Sequence, residues 1–193
     1  MSIVNRLKLK FYWLQIKKQM EKKSSKARSR SGYVKKRKSV FYPRSTLTGA
    51  DVEIKAATHG RGLFAKRPLP PNAQLEFKGV VYTEPKYQEV LRESDSDPEN
   101  KMKMLDYIIS GPNGTYIDGN PRVFRGSLAA AANEPSQNQK ANAFFKVGRQ
   151  NPTMLVTARN IKSGEEILVC YGSSFERKYK IGRNITVDKN KFR

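Results

Sequence analysis

The chain has 193 residues, 37% of them hydrophobic and 10% aromatic, which is enough for one folded core and excludes wholesale disorder. Its apolar runs fall short of the roughly 18 residues that a membrane span needs, and its single cysteine, Cys170, leaves neither an intramolecular disulfide nor a Cys-rich zinc site, which suits a reducing compartment. The formal net charge is +21, from 38 Lys and Arg against 17 Asp and Glu.

This charge is divided unevenly along the chain. Residues 1–45 carry 15 Lys and Arg and one acidic residue, whereas residues 46–175 carry 16 basic and 14 acidic residues. Residues 176–193 carry seven basic and two acidic residues. We therefore predict a near-neutral folded domain over 46–175, between a basic N-terminal arm and a basic C-terminal segment.

The N-terminal arm contains two kinds of sequence. Residues 1–20 place apolar side chains at near-helical spacing among lysines and an arginine, at Ile3, Leu7, Phe11 and Leu14. This pattern leaves open a basic amphipathic helix on a membrane, partner or nucleic acid, an organelle-targeting peptide, and a short helix docked on the domain. Residues 22–38 are rich in Ser, Lys and Arg, which predicts an extended segment. Residues 35–38, KKRK, have the form of a nuclear localisation cluster or a phosphate-binding patch.

The domain itself predicts short strands separated by turns. Strands are expected in DVEIKAA at 51–57, AQLEFKGVVY at 73–82, twice within AFFKVGRQNPTMLVTARNI at 143–161, and as a last buried strand in EEILVCYG at 165–172. Two short apolar runs flank the turn SGPNG at 110–114 and predict a hairpin. Residues 83–105 predict helical stretches on either side of an acidic loop. Many short strands with one helical insert predict an α+β domain that is mainly β.

The order of five short segments resembles the SET domain of protein lysine methyltransferases. The segments are HGRGLFA, EFKG, YIDG, ANEPSQNQKANA and GEEILVCYG, and the resemblance covers residues 55–175 or so. The closing segment is the most specific, and it is also similar to the related PR subclass. The resemblance implies the SET fold of short curved sheets with a small helical insert, at about 84–106, and the compact type that lacks flanking Cys-rich zinc modules.

The resemblance implies the transfer of a methyl group from S-adenosylmethionine (AdoMet) to a lysine amine, with no metal ion. Gly60, Arg61 and Gly62 match the family's GxG segment, whose backbone approaches the cofactor, where a Cβ would block the approach or the turn. Asn133 matches the asparagine of the family's NHSC motif and implies a further cofactor contact. Glu134 stands where the family has histidine, which implies that its backbone serves the adenine.

Two further positions differ from the family pattern. The cysteine of the NHSC motif is absent, and Ala129 stands where the family often has arginine. Because one cysteine cannot build the zinc segment that often completes the channel, aromatic residues of the C-terminal end are expected to close it, from Phe175, Tyr179 and Phe192. Phe175 is the residue expected to stack on the adenine.

The resemblance also assigns a catalytic tyrosine and a lysine channel. Tyr171 matches the near-universal tyrosine of the last motif, whose hydroxyl lies by the methyl group and orients the amine. Channel residues are expected at Phe77, Tyr107, Tyr116 and Val169. Phe77 as a core residue, and Tyr107 and Tyr116 as ordinary sheet aromatics, are the alternatives. Val169 leaves the number of added methyl groups open.

The composition of the insert at 84–106 indicates which kind of substrate to expect. Residues 84–106 carry seven acidic and four basic residues in an otherwise basic protein. In the family this insert forms one wall of the peptide groove, so an acidic wall favours a basic peptide such as a histone tail. A solvated acidic loop without a partner is the alternative.

These features lead to one hypothesis and two alternatives. The hypothesis is an AdoMet-dependent protein lysine methyltransferase that acts on histone or another basic chromatin-like protein, with nucleic acid bound by the basic arms, in the nucleus or on chromatin. The first alternative is a catalytically weak or inactive SET-fold protein with a structural or nucleic-acid-binding role through its arms. The second is a basic-arm membrane or organelle protein with another substrate, and a virion or host nucleus is a further location for a viral chain. The sequence indicates no oligomeric state.

Overall fold

The computed structural model describes residues 44–93, 106–172, 175, 177 and 179–186. The predictions for the amphipathic start, the Ser/Lys/Arg-rich segment, the acidic loop of the insert and Phe192 lie outside these residues. Within the described part of the chain, no helix combines the length and the apolar character of a membrane span.

Short strands make up most of the regular structure. The strands are β1 (Ser45–Thr46), β2 (Val52–Ala57), β3 (Gly60–Ala65), β4 (Ala73–Glu76), β5 (Val80–Tyr82), β6 (Ile108–Ser110), β7 (Tyr116–Asp118), β8 (Ala143–Lys146) and β9 (Met154–Thr157). One α-helix, α1 (Glu84–Glu93), follows β5, and two short 3-10 helices lie at Pro112–Gly114 and Ala129–Ala131. Nine strands and one helix in the described ranges confirm the mainly β, α+β class.

The strands form three small sheets. Four strands pair in the order β1-β4-β9-β8, with β1 parallel to β4 and the other neighbours antiparallel. β2 and β3 form a separate antiparallel pair, and β5, β7 and β6 form an antiparallel sheet with β7 in the centre. Ser45, which the sequence analysis assigned to the N-terminal arm, therefore belongs to a sheet through its pairing with Ala73.

The β2–β3 hairpin positions one edge of the future site. Ala57 pairs with Gly60 across a two-residue turn, Thr58–His59. Gly60 has a φ of 75°, a left-handed conformation that glycine adopts without steric cost. This geometry turns the chain sharply, so that His59, Gly60 and Arg61 come to lie together at one end of the hairpin.

The hairpin predicted around SGPNG is confirmed, and the two strands predicted within 143–161 also pair as a hairpin. Ile108–Ser110 pairs with Tyr116–Asp118 across the SGPNG turn, and Ala143–Lys146 pairs with Met154–Thr157. In the first hairpin the side chain of Thr115 bonds the carbonyl of Pro112 at 2.6 Å, which helps to close the turn. Both hairpins join residues that are near in sequence, which is why local pattern is enough to predict their strands.

The last predicted strand, EEILVCYG, is not a regular strand. It makes single bridges, from Glu166 to Phe64 and from Leu168 to Asn133, because it exchanges hydrogen bonds with different neighbours along its length. The N–H of Ile167 donates to the carbonyl of Leu63 at 2.7 Å, whereas the N–H of Leu168 donates to the side chain of Asn142 at 2.8 Å. Its predicted burial is confirmed, since its three central residues are at most 5% exposed.

A single core joins these sheets. It includes fully buried apolar residues from β2, β3, β9 and the closing segment, namely Val52, Leu63, Leu155, Ile167 and Val169. Burial of such side chains contributes about 1.5–3 kcal/mol each. The closing segment therefore ties the core to its own residue Tyr171, which packs against the core while partly buried.

Substitution of Asn142 tests how the closing segment is held in place. Its buried side chain accepts from the N–H of Leu168 and donates to the carbonyl of Glu166, both at 2.8 Å. We expect Asn142→Ala to lower the free energy of unfolding by roughly 2–4 kcal/mol, because both buried bonds are lost. Urea denaturation followed by circular dichroism measures this. The exposed Asn138 is the matched control, and Asn138→Ala should stay within about 0.5 kcal/mol of wild type; equal effects would contradict the assignment.

Candidate active site

A large cavity lies where four parts of the chain meet. Its volume is about 530 Å³, within the range of small-molecule sites. The walls come from the β2–β3 hairpin, from the two residues before β6, from residues 119–133 around the Ala129–Ala131 turn, and from the C-terminal residues. They are Ile54, His59, Gly60, Arg61, Asp106, Tyr107, Gly119, Pro121, Ser127, Ala130, Ala131, Asn133, Tyr171, Phe175, Arg177 and Tyr179.

A smaller cavity of about 90 Å³ shares part of this wall. Its lining is mostly aromatic and aliphatic: Phe77, Asp106, Tyr107, Ile108, Ile109, Ala130, Ala132, Phe145, Tyr171 and Phe175. The volume equals that of roughly three water molecules, which suits a narrow chain rather than a nucleoside. Five residues line both cavities and form the junction between the two spaces: Asp106, Tyr107, Ala130, Tyr171 and Phe175.

Tyr171 is fixed at this junction by its hydroxyl and its ring. The hydroxyl donates to the carbonyl of Ala132 at 2.7 Å, and the ring meets that of Phe175 edge to face, with centroids 4.8 Å apart. Burial raises the pKa of Tyr171 well above its usual value, and the nearby Tyr179 and Glu134 raise it further. The hydroxyl therefore stays protonated at neutral pH, so Tyr171 orients and donates but does not act as a base.

Gly62 and Asn133 form a close-packed corner behind the large cavity. The side-chain amide of Asn133 donates to the carbonyl of Arg61 at 3.2 Å and to the carboxylate of Glu166 at 3.0 Å. A methyl group at Gly62 would overlap that carboxylate and would lie 2.9 Å from the Cβ of Ala57. The second glycine of the GxG segment, Gly62, is thus required because the side chains of Glu166 and Asn133 occupy the space.

Glu134 lies behind the wall of the cavity in a buried network. Its carboxylate accepts from Nε and Nη2 of Arg177, each at 2.8 Å, in a two-pronged ion pair. It also accepts from the backbone N–H of Tyr171 at 2.9 Å and from the hydroxyl of Tyr179 at 3.2 Å. Glu134 therefore connects Tyr171 to the C-terminal residues.

Arg177 extends this network to the wall of the cavity. Its Nη2 donates to the carbonyl of Gly172 at 2.7 Å, and its guanidinium carbon lies 5.4 Å from the centre of the Phe175 ring. The hydrogen bonds to Glu134 raise the pKa of Arg177 above its usual value. Burial and the charge of Glu134 raise the pKa of Tyr179 to about 12. The raised pKa values keep Arg177 charged and the Tyr179 hydroxyl protonated at neutral pH, so both side chains donate to Glu134.

The structure brings most of the predicted cofactor residues together. Gly60, Arg61, Asn133 and Phe175 line the large cavity, whereas Gly62 and Glu134 support its wall from behind. Tyr179, one of the aromatic residues expected to close the site, also lines it, and its ring stacks on His59 with centroids 4.9 Å apart.

The predicted channel residues divide into two groups. Phe77 and Tyr107 line the small cavity. Val169 is completely buried in the core, and Tyr116 lines neither cavity. Instead the hydroxyl of Tyr116 bonds Glu84 at 2.6 Å and its ring stacks on Tyr87 at 3.9 Å, because β7 directs this side chain toward α1.

Among the lining residues that were not predicted from the sequence, three have titratable side chains. Asp106 borders both cavities, and His59 and Arg177 border the large one. The signal for Arg177 was present: a glutamate within an otherwise apolar motif needs a basic partner if it is buried. Among the described residues, no group of three or more His, Cys, Asp or Glu side chains could hold a metal ion.

The profile of the SET domain family matches residues 60–172, more than half of the chain. The chain belongs to the SET domain family. The match begins at Gly60, on the rim of the large cavity, and ends just after Tyr171. It confirms the resemblance and the fold assigned from the sequence, and it supports the class of protein lysine methyltransferases. A comparison with curated proteins gave no match.

Gly62→Ala tests the close-packed corner of the SET domain. The added methyl group must displace Glu166 or Asn133, so we expect the free energy of unfolding to fall by roughly 1–3 kcal/mol. Thermal unfolding by differential scanning calorimetry measures the change. Gly49→Ala is the control, because its new methyl group would meet only Leu128, at 3.7 Å, and stability should change by less than about 0.5 kcal/mol. A Gly62→Ala protein as stable as Gly49→Ala would show that the corner is not tightly packed.

Proposed function

We propose that this SET domain is an AdoMet-dependent protein lysine methyltransferase. The observation that carries the proposal is the junction at Tyr171, where a cavity of about 530 Å³ and one of about 90 Å³ share a wall. Transfer of a methyl group by in-line displacement needs two ligands that approach one point from opposite sides. Two cavities of unequal size that both border the fixed side chain of Tyr171 meet that requirement.

The residues of the large cavity fit AdoMet. Its walls combine apolar surface from Ile54, Ala130 and Phe175 with a few polar groups, among them Arg61 and Asn133, as expected for a ligand with an adenine ring and a charged amino-acid end. Phe175 would stack on the base, and the backbone at Gly60 and Arg61 with Asn133 would hold the amino-acid end. When bound, AdoMet supplies a methyl group made reactive by the neighbouring sulfonium.

The small cavity suits the side chain of a lysine. The rings of Phe77 and Phe145 meet edge to face at 5.6 Å and give it an apolar wall, which disfavours the ammonium form of an entering amine. The hydroxyl of Tyr171 donates its hydrogen bond to the carbonyl of Ala132, which leaves the lone pairs of its oxygen available as acceptors. Because its pKa is raised, Tyr171 does not serve as the base that removes the proton of the lysine.

We further propose that the substrate is a histone or another basic chromatin-like protein. The support is electrostatic: residues 84–106 carry seven acidic and four basic residues, and Asp106 borders the small cavity. An acidic surface next to the channel favours a basic peptide. The basic arms would bind nucleic acid and so place the enzyme on chromatin in the nucleus.

Tyr171→Phe tests the proposed catalytic role. Loss of the hydroxyl removes its bond to Ala132 and leaves the reacting groups poorly oriented, so methyl transfer from radiolabelled AdoMet to core histones should fall by about a hundredfold. Binding of AdoMet, measured by calorimetry, should change little. Tyr82→Phe is the control, since its hydroxyl lies 3.5 Å from Asp118 and lines neither cavity. Full activity in Tyr171→Phe would contradict the role, and a wild-type protein that does not bind AdoMet would favour a structural or nucleic-acid-binding function.

Deletion of residues 1–38 tests the role of the N-terminal arm. These residues carry 14 Lys and Arg and one acidic residue, and the deletion spares Ser45 and Thr46, which pair with β4. Each phosphate contact that is lost should reduce the slope of log affinity for DNA against log salt by about 0.9. Fluorescence anisotropy at several salt concentrations measures this slope. Methylation of a free histone peptide should be largely retained, and its loss would place the arm in the folded catalytic unit.

A further inference from the structure

The two partners of the ion pair between Glu134 and Arg177 lie at different distances from the large cavity: Arg177 lines it and Glu134 does not. Arg177 lines the cavity with a side chain that is 16% exposed, whereas the side chain of Glu134 is fully buried behind the wall. The guanidinium reaches the carbonyl of Gly172, the residue after Tyr171, and it also lies over the ring of Phe175. The positive charge of Arg177 therefore lies at the cavity wall, close to the junction at Tyr171. The negative charge of Glu134, which balances it, lies behind that wall.

This arrangement matters for a ligand that carries a positive charge at the junction. Without the carboxylate, Arg177 would add one unit of positive charge to a wall of low polarity, where charges act over longer distances than in water. Without Arg177, the buried carboxylate would be left unpaired. The pair makes this part of the wall electrically neutral while it fixes Arg177, Tyr179 and the backbone of Tyr171.

We propose that Glu134 is a positioning residue that neutralises Arg177 and thereby allows the large cavity to bind a cationic sulfonium cofactor. This inference rests on the proposed function and deepens it. The carboxylate does not touch the ligand: it acts through Arg177, Tyr179 and Tyr171. The substitution of glutamate for the family's histidine is then not a loss of a cofactor contact but part of a separate solution that recruits an arginine from the C-terminal end.

The experiment compares two ligands that differ in charge. AdoMet carries a sulfonium, and S-adenosylhomocysteine is the same molecule with a neutral thioether. The ratio of their dissociation constants, measured by calorimetry on the full chain, reports the charge of the wall. A general loss of structure would weaken both ligands together and would leave this ratio unchanged.

The two partners should shift the ratio in opposite directions. Glu134→Gln keeps an oxygen that accepts from the backbone N–H of Tyr171 but leaves the charge of Arg177 uncompensated. The affinity for AdoMet should therefore fall roughly fivefold relative to the affinity for S-adenosylhomocysteine. Arg177→Gln leaves the negative charge of Glu134 uncompensated, so the affinity for AdoMet should rise relative to the affinity for S-adenosylhomocysteine. The double variant should return the ratio to within about twofold of wild type, even if both ligands bind more weakly.

A matched control separates this effect from the loss of any buried ion pair. Asp51 bonds Nε of Arg67 at 2.7 Å, and neither residue lines a cavity, so Asp51→Asn should leave the ratio unchanged. If the wild type binds both ligands but the ratio stays constant in both single variants, or shifts in the same direction in both, the role of Glu134 is wrong while the proposed function stands. If the wild type binds neither ligand, both are wrong.

Discussion

The buried carboxylate of Glu134 organises the site because a charge removed from water must be matched by partners at fixed positions. It obtains them from residues that are distant in sequence: both prongs of Arg177, the hydroxyl of Tyr179 and the backbone of Tyr171. Through these bonds one side chain holds the C-terminal residues against the closing segment. The positions of Tyr171 and Phe175, two of the residues that line both cavities, depend on this arrangement.

The fold was predictable where pairing is local. The hairpin around SGPNG and the two strands that become β8 and β9 lie in neighbouring segments, so alternation and turn residues were enough to identify the first hairpin and the strands of the second. The pairing of Ser45 with Ala73 was missed because nothing in two residues signals a parallel partner 28 positions away. The closing segment was predicted as a strand because it is apolar, and it fails to form one because its hydrogen bonds go to several neighbours in turn.

Site residues could be predicted where they belong to a sequence motif. They could not be predicted where their role depends only on a residue that folding brings next to them. The motifs placed Gly60, Asn133 and Tyr171, which the fold brings to one cavity. They could not place Arg177, because its role follows from a glutamate 43 positions earlier that becomes buried only in the folded chain. Tyr116 shows the reverse case: its motif position predicted a channel wall, but the pairing of β7 directs its ring onto Tyr87. The net charge divides in a related way: the near-neutral domain pairs charges internally, as at Asp51 and Arg67, whereas Glu134 takes its partner Arg177 from the basic C-terminal segment.

The central claim is that two ligands meet at Tyr171 from separate cavities. A crystal structure of the full chain with S-adenosylhomocysteine and a histone peptide tests it most directly. The account predicts the nucleoside between Arg61, Asn133 and Phe175, and a lysine side chain between Phe77 and Tyr107, with the thioether and the amine facing each other beside the hydroxyl of Tyr171. Electron density for either ligand outside these cavities, or for both in the same cavity, would contradict it.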